Sequence, residues 1–161
     1  MSKIKPVVVV GLMGSGKSTV ANLLSRALGL PMSDSDDWLA GQYGATAAEM
    51  SRDVGVLHER EARHVLTELE GAPKVIAAAA SVVEDPAVRQ AMGEAFVVWL
   101  DAPDEVLAER MKSSAHRPSF APATLRGRRE PYFREVADLK VDVAANRPEQ
   151  VVKIILAALE G

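Results

Sequence analysis

The residues best suited to chemistry lie in one glycine-punctuated stretch. Val7–Val20 reads VVVVGLMGSGKSTV, and Gly11, Gly16, Lys17 and Ser18 fall on the pattern G-x-x-x-x-G-K-[ST]. Glycines let a backbone close into a tight loop whose N–H groups point at anionic oxygens. Gly14, Ser15, Gly16, Lys17, Ser18 and Thr19 are therefore expected to cradle the phosphates of a nucleotide. Lys17 would bring a point charge to the β- and γ-phosphates, and the Ser18 hydroxyl would ligate Mg²⁺. ATP and Mg²⁺ are the cofactors this pattern predicts.

Two carboxylates come next, Asp34 and Asp36. They close a short apolar stretch, and ligands of parallel sheets gather at the carboxyl ends of strands. One of the two is expected to orient the metal through water, and the other to accept a proton from a substrate hydroxyl, the base role in phosphoryl transfer. A competing reading makes Asp36 or Asp37 a helix cap. Arginines form a further set: Arg60, Arg110, Arg117 and Arg129. A guanidinium fork suits carboxylate and phosphate, although a lone arginine is often only a solvated charge.

These groups need a scaffold. Val7–Val10 is a β-branched run of the kind buried in parallel sheets, and Val20, Leu23, Leu24, Ala27 and Leu28 make an amphipathic helix after it. The pattern alternates onward, with strands expected at 4–10, 30–33, 74–80, 95–100 and 139–143. Helices are expected between them: from about Asp36 to Gly44, from Thr46 to near Gly55, from Val56 to Glu70, and from Pro148 to the end. Thr46 and Glu49 have the spacing of a capping box. Such alternation is the βαβ signature. Residues 113–123, SSAHRPSFAPA, show no apolar period, and a lid spanning roughly 112–124 is expected there. Arg117 would reach from it to the transferring phosphoryl group.

The bulk properties set limits. The chain has 161 residues, no cysteine and a formal net charge of −3. One domain spanning 1–161 is expected. Disulfides and thiolate metal sites are excluded, and an overall polyanion-binding surface is disfavoured. With no long apolar segment, the expectation is a cytoplasmic monomer acting on a small molecule, with neither nucleic acid nor membrane as partner. Neither His58, His64 nor His116 is expected to hold a metal. Trp38 is read as packing more readily than as pocket wall.

Taken together, GLMGSGKST at 11–19, the aspartates in 33–36, the helix with Arg60, Arg117-Pro118, Arg129-Glu130-Pro131 and Arg147-Pro148 resemble the shikimate kinase family. The resemblance covers nearly the whole chain. It implies a five-stranded parallel sheet with the phosphate-loop strand central and helices on both sides, a P-loop fold of the nucleoside-monophosphate-kinase-like type. It further implies that Asp36 holds and activates the substrate hydroxyl, that Asp34 supports the Mg²⁺ shell, and that Arg60 and Arg129 grip the substrate carboxylate. Arg117 would meet the phosphates, and Arg110, Arg147 and Pro148 would lie against adenine. The activity implied is transfer of phosphate from ATP to a cyclic polyhydroxy carboxylate, shikimate first, with another cyclitol or sugar acid as the alternative acceptor.

Departures cluster on the acceptor side. The family places three glycines where this chain has Ala79, Ala80 and Ser81, which are expected to line the substrate ring. Alanine disfavours φ > 0 by about 1 kcal/mol or more per residue, so a narrowed loop is expected. The family's phenylalanine before the helix arginine is Glu59 here, and its glutamate three residues after is Arg63. This predicts an apolar wall turned acidic, with Arg60 paired to Glu59 or Glu61, or Arg63 recruited as a ligand. A nucleotide-binding protein without transfer activity is the rival reading, and a nucleoside monophosphate kinase a third. Acceptor-dependent ADP release separates them.

Overall fold

The computed structural model describes residues 4–111 and 122–161. Five strands form one parallel sheet: β1 Val7–Val10, β2 Met32–Asp34, β3 Val75–Ala77, β4 Phe96–Asp101 and β5 Leu139–Asp142, in the order β2-β3-β1-β4-β5. Val7 pairs with Val75 on one side and Phe96 on the other, so β1 is hydrogen-bonded along both edges. All four of its valines are buried. Unbroken β-branched sequence is what a strand covered on every face requires. The chain leaves β1 toward β2 and β3, then crosses to β4 and β5. The carboxyl end of β1 is thus the topological switch point, where open α/β sheets bind their ligands.

Eight α-helices surround the sheet among the described residues: α1 Lys17–Leu28, α2 Ser35–Tyr43, α3 Ala47–Met50, α4 Val54–Glu70, α5 Pro86–Ala91, α6 Asp104–Met111, α7 Pro122–Val136 and α8 Pro148–Glu160. The main core joins the strands to Val20 and Leu24 of α1, Val65 of α4, Phe133 of α7 and Ile155 of α8. A smaller core of Leu39, Ala47, Met50 and Leu57 unites α2, α3 and α4. Trp38 packs on that cluster, edge-on to Tyr43 at 6.0 Å and tilted over His64 at 5.3 Å, in line with the packing expectation.

The strand expected at 4–10 starts only at Val7, and the one expected at 95–100 forms at Phe96–Asp101. The expected strand 74–80 ends at Ala77, and Ala80–Glu84 turns into a 3₁₀ segment. One boundary matters for function. Thr46 and Glu49 do form the capping box, but α3 is only one turn long. Asp53 then caps a new helix by accepting a hydrogen bond from the Val56 amide at 3.2 Å. So α4 starts at Val54, two residues before the expected start, and Gly55 lies inside its first turn. The sequence expectation of a break at Gly55 overlooked Asp53 as the cap.

Candidate active site

The loop between β1 and α1 is built around glycine. Gly11 has φ +151°, and a Cβ there would lie 2.4 Å from the Leu100 carbonyl oxygen. Gly14 has φ +88°, with Leu107 O 2.9 Å from the same imagined atom. Any side chain at either position would meet backbone, so the loop closes tightly against β4 and α6. Lys17 Nζ donates to Gly11 O at 2.9 Å and Leu12 O at 3.2 Å, which holds the ammonium over the loop. α1 then opens at the phosphate position, its amino end adding positive potential.

Ser18 Oγ donates to Asp34 Oδ2 across the cleft. Asp34 also caps α2, its Oδ1 accepting from the Asp36 amide at 3.0 Å. The capping role expected of Asp36 or Asp37 thus belongs to Asp34, which leaves the Asp36 side chain on the cleft wall. A hydroxyl and a carboxylate in contact form a small hard-oxygen pair. Among the described residues no three acidic or imidazole groups gather into a complete metal cage. That donor set fits Mg²⁺, which takes one or two protein oxygens and completes its shell with phosphate and water.

One cleft of about 700 Å³ joins this phosphate end to an acceptor end. Gly14, Gly16, Lys17, Ser18, Thr19, Asp34 and Asp36 line the first part. Ala79, Ala80, Ser81 and Arg129 line the second. Arg129 is only 5% exposed, and its Nε donates to Glu84 Oε2 at 2.9 Å. Arg128 approaches the other oxygen of Glu84 at 3.9 Å. Both arginines are carried on α7, which Arg126 ties to the end of β4 by donating to Asp101 and Asp104 at 2.9 and 2.7 Å and to Ala102 O at 2.6 Å.

Ala79 does not adopt the positive φ on which the expectation of a narrowed loop rested. Ala79 has φ −63° and ψ 150°, and no described residue other than glycine has positive φ. The segment runs straight into a 3₁₀ turn through conformations open to any residue. What distinguishes it from a glycine loop is a side chain: Ser81 Oγ donates to Glu61 Oε1 at 2.8 Å.

Helix α4 overturns a second set of expectations. Val54, Leu57, His58 and Glu61 line the cleft, the i, i+3, i+4, i+7 face of a helix that starts at Val54. Arg60 does not line it. Its guanidinium lies 4.1 Å above the Tyr43 ring, with Nη1 3.5 Å from the Met50 sulfur. These contacts stand in place of the pairing expected with Glu59 or Glu61, of which Glu59 is exposed and Glu61 is buried at 4% exposure. Arg63 is also exposed, away from the cleft. The acceptor wall is therefore neither acidified by Glu59 nor supplied with Arg63. Leucine, imidazole and carboxylate occupy positions 57, 58 and 61, which restores the apolar–basic–acidic spacing two residues earlier than the linear match places it. The sequence signal for this was available in the Asp53 cap.

Other predicted residues sit nearby. Arg110 bridges the phosphate loop and the segment after β5, donating to Gly14 O and Val143 O, each at 3.0 Å. Arg147 and Pro148 begin α8 at the far side of that segment, the Arg147 amide donating to Gln150 Oε1 at 2.9 Å. They do not line the main cleft. Arg117 and most of the expected lid, 112–121, lie outside the described residues. The end of that stretch is already helical, since α7 begins at Pro122. His64 is fully buried, its Nε2 2.8 Å from Ser33 Oγ. Burial pushes its pKa down to about 4, against the smaller opposing pull of Glu68 and Asp34.

A glycine loop at the switch point of a five-stranded parallel sheet, joined to a second wall carrying carboxylate and arginine, defines a P-loop kinase fold. Known proteins sharpen this. The shikimate kinase family model matches residues 13–160, and the chain belongs to that family. The shikimate kinase of Rhodopseudomonas palustris is 34% identical over 165 residues, 96% of this chain and 81% of that protein. That of Halorhodospira halophila is 33% identical, covering 96% and 93%. Among solved structures, a shikimate kinase from Acinetobacter baumannii in complex with shikimate superposes with a TM-score of 0.89 at 25% identity, covering 98% of this chain and 93% of that one. A shikimate kinase from Aquifex aeolicus gives 0.81 at 30%, covering 97% and 96%.

Proposed function

We propose that this protein transfers the γ-phosphoryl group of ATP to the 3-hydroxyl of shikimate. The reading rests above all on one observation: Lys17, Ser18 and Asp34 share a single cleft with Asp36 and Arg129. Phosphate recognition, a candidate base and a carboxylate-binding guanidinium thus lie along one path. In the reaction the acceptor oxygen bonds to the γ-phosphorus as the bond to the β–γ bridging oxygen breaks. ADP departs, and Asp36 accepts the hydroxyl proton. Lys17 and the loop amides stabilise charge on the phosphates. Ser18 and Asp34 would hold Mg²⁺, which when bound neutralises charge on the β- and γ-oxygens.

At the other end, Arg129 offers the acceptor carboxylate a charge fixed by Glu84. Glu61 and Ser81 present polar oxygens suited to ring hydroxyls, with Ala79 and Ala80 as close-fitting backbone. Arg110, Arg147 and Pro148 are assigned to the adenine, and Arg117 to the phosphates on lid closure. The whole chain acts as one kinase domain in this reading, a cytoplasmic monomer serving a small-molecule acceptor. The absence of a helix long and apolar enough to cross a membrane among the described residues is compatible with it.

Steady-state ADP release tests the proposal. Shikimate should support turnover with Mg²⁺ present and lose it on chelation, while other cyclitols and sugar acids should be poor acceptors. A cyclitol or sugar acid that outperforms shikimate in kcat/KM would replace it as the acceptor. ATP binding without acceptor-dependent ADP from any of them would identify the non-transferring alternative.

A further inference from the structure

The short 3₁₀ segment after β3, Ala80–Glu84, touches the acceptor end in two ways. Its first residues, Ala80 and Ser81, line the cleft, and its last, Glu84, reaches across to α7. The segment is pinned along its length. Ser81 Oγ donates to Glu61 Oε1 at 2.8 Å, and Arg89 Nη1 donates to Val83 O at 2.7 Å. Glu84 is thus carried on a fixed base. Its Oε2 accepts from Arg129 Nε at 2.9 Å, and its Oε1 lies 3.9 Å from Arg128 Nε. Among the described residues Glu84 is the one polar partner of the Arg129 side chain. Arg129 is buried, yet it borders the cleft, whereas Glu84 does not line it. A buried guanidinium needs a counter-charge, and Glu84 supplies it before any acceptor arrives.

We infer that Glu84 is a positioning residue for the acceptor carboxylate: it holds Arg129 through Nε and so leaves the terminal nitrogens as the fork that grips the acceptor. The inference rests on the reading of the acceptor as shikimate and deepens it. A guanidinium pairs bidentately with a carboxylate either along its side edge, through Nε and one terminal nitrogen, or at its end, through both terminal nitrogens. With Nε committed to Glu84 the side edge is taken, and the end remains. That choice fixes where the anionic group of the acceptor sits, and hence how its ring hydroxyls are presented to Asp36. The attraction survives the counter-ion because Glu84 is shared. Arg128 and Arg129 together outweigh it, and both line the cleft. A fork set in advance also spares the acceptor the entropy cost of ordering a long side chain. Glu84 therefore acts on acceptor affinity through Arg129.

The test compares the wild type, Glu84→Gln and Glu84→Ala by kcat, KM for shikimate and KM for ATP, each beside a thermal melt. Glu84→Gln keeps the size of the side chain and an oxygen for Nε but drops the charge, and KM for shikimate should rise about tenfold. Glu84→Ala also lets the fork turn, and the rise should reach about thirtyfold or more. In both variants KM for ATP should stay within about twofold and kcat should fall by less than about threefold, the signature of lost acceptor binding. Shikimate methyl ester, which lacks the anionic group, should be a poor acceptor for the wild type and no poorer for either variant. A segment merely loosened by the substitution would harm ester and acid alike, and that result would overturn the inference. So would a Glu84→Ala variant with an intact melt whose KM for shikimate is unchanged, or lower because Glu84 competes for Arg129; both would leave shikimate phosphorylation standing. Absence of turnover with shikimate by the wild type would instead overturn the acceptor assignment, and this inference with it.

Discussion

At the phosphate end of the cleft the contacts run mainly through backbone, whereas at the acceptor end they run through side chains. Lys17 is positioned by carbonyls of Gly11 and Leu12, and Gly11 and Gly14 are fixed by close approach to Leu100 and Leu107. Opposite them, Arg129 depends on Glu84, Ser81 on Glu61, and the identity of the α4 wall on where that helix begins. A backbone site is encoded locally, in one unbroken stretch. A side-chain site is encoded in helix phase, so a two-residue change of helix start exchanges Arg60 for His58 on the cleft face. The difference between the two ends predicts where substitutions act on kcat and where they act on acceptor KM.

The largest effect is expected at the junction of the two ends. Asp36→Asn removes the proton acceptor while keeping size, and kcat should fall by about 10³-fold with ATP binding retained. An unchanged kcat would assign the base role elsewhere. Lys17→Met should lower kcat/KM by about 10²- to 10³-fold through loss of charge at the phosphates, and calorimetry should show weakened ATP binding. Arg129→Lys keeps charge but loses the fork shared with Glu84. Its signature is a shikimate KM raised by about tenfold or more, with KM for ATP unaffected. A drop confined to ATP affinity would show that Arg129 belongs to the phosphate end.

Stability links the two ends through β2. Ser33, next to Asp34, bonds His64, whose pKa is pushed down to about 4 by burial. The unfolded chain takes up a proton near pH 6.5 that the native state refuses until about pH 4. Stability should therefore fall as pH drops through that window, by up to about 3 kcal/mol at its lower end. Urea melts across the window should show this slope, and His64→Asn should flatten it. The smallest effect is expected at Arg60. Arg60→Ala should change shikimate KM by less than about threefold while costing about 1 kcal/mol of stability from the lost contact with Tyr43. A hundredfold rise in KM would return Arg60 to the substrate and contradict the phase of α4.

Much of this was legible in the sequence, for identifiable reasons. The valine run before Gly11 announces a central strand because only a strand buried on both faces tolerates it. Gly14 to Thr19, Asp34 and Asp36 are separated by one helix and one strand, so ordinary connection rules bring them together. Arg129, which lines the cleft, stands beside Glu130-Pro131 in the string that carries the family resemblance. At the α4 wall residue-for-residue matching follows Arg60, while side-chain direction follows the Asp53 cap. The narrowed loop expected at Ala79–Ser81 assumes that alanines copy glycine dihedrals, whereas Ala79 has φ −63°. Glu84 and Arg128 were invisible to pattern, since their pairing is made by α7 packing on the 3₁₀ turn.

The most direct trial of the whole account is a phosphorus NMR time course on the wild-type protein with ATP, Mg²⁺ and shikimate. One new phosphomonoester signal should grow in step with ADP, split by the single proton on the carbon bearing the phosphorylated hydroxyl, and it should be missing when shikimate is omitted. ADP appearing with inorganic phosphate alone, or no change in the ATP signals while the nucleotide is demonstrably bound, would contradict it.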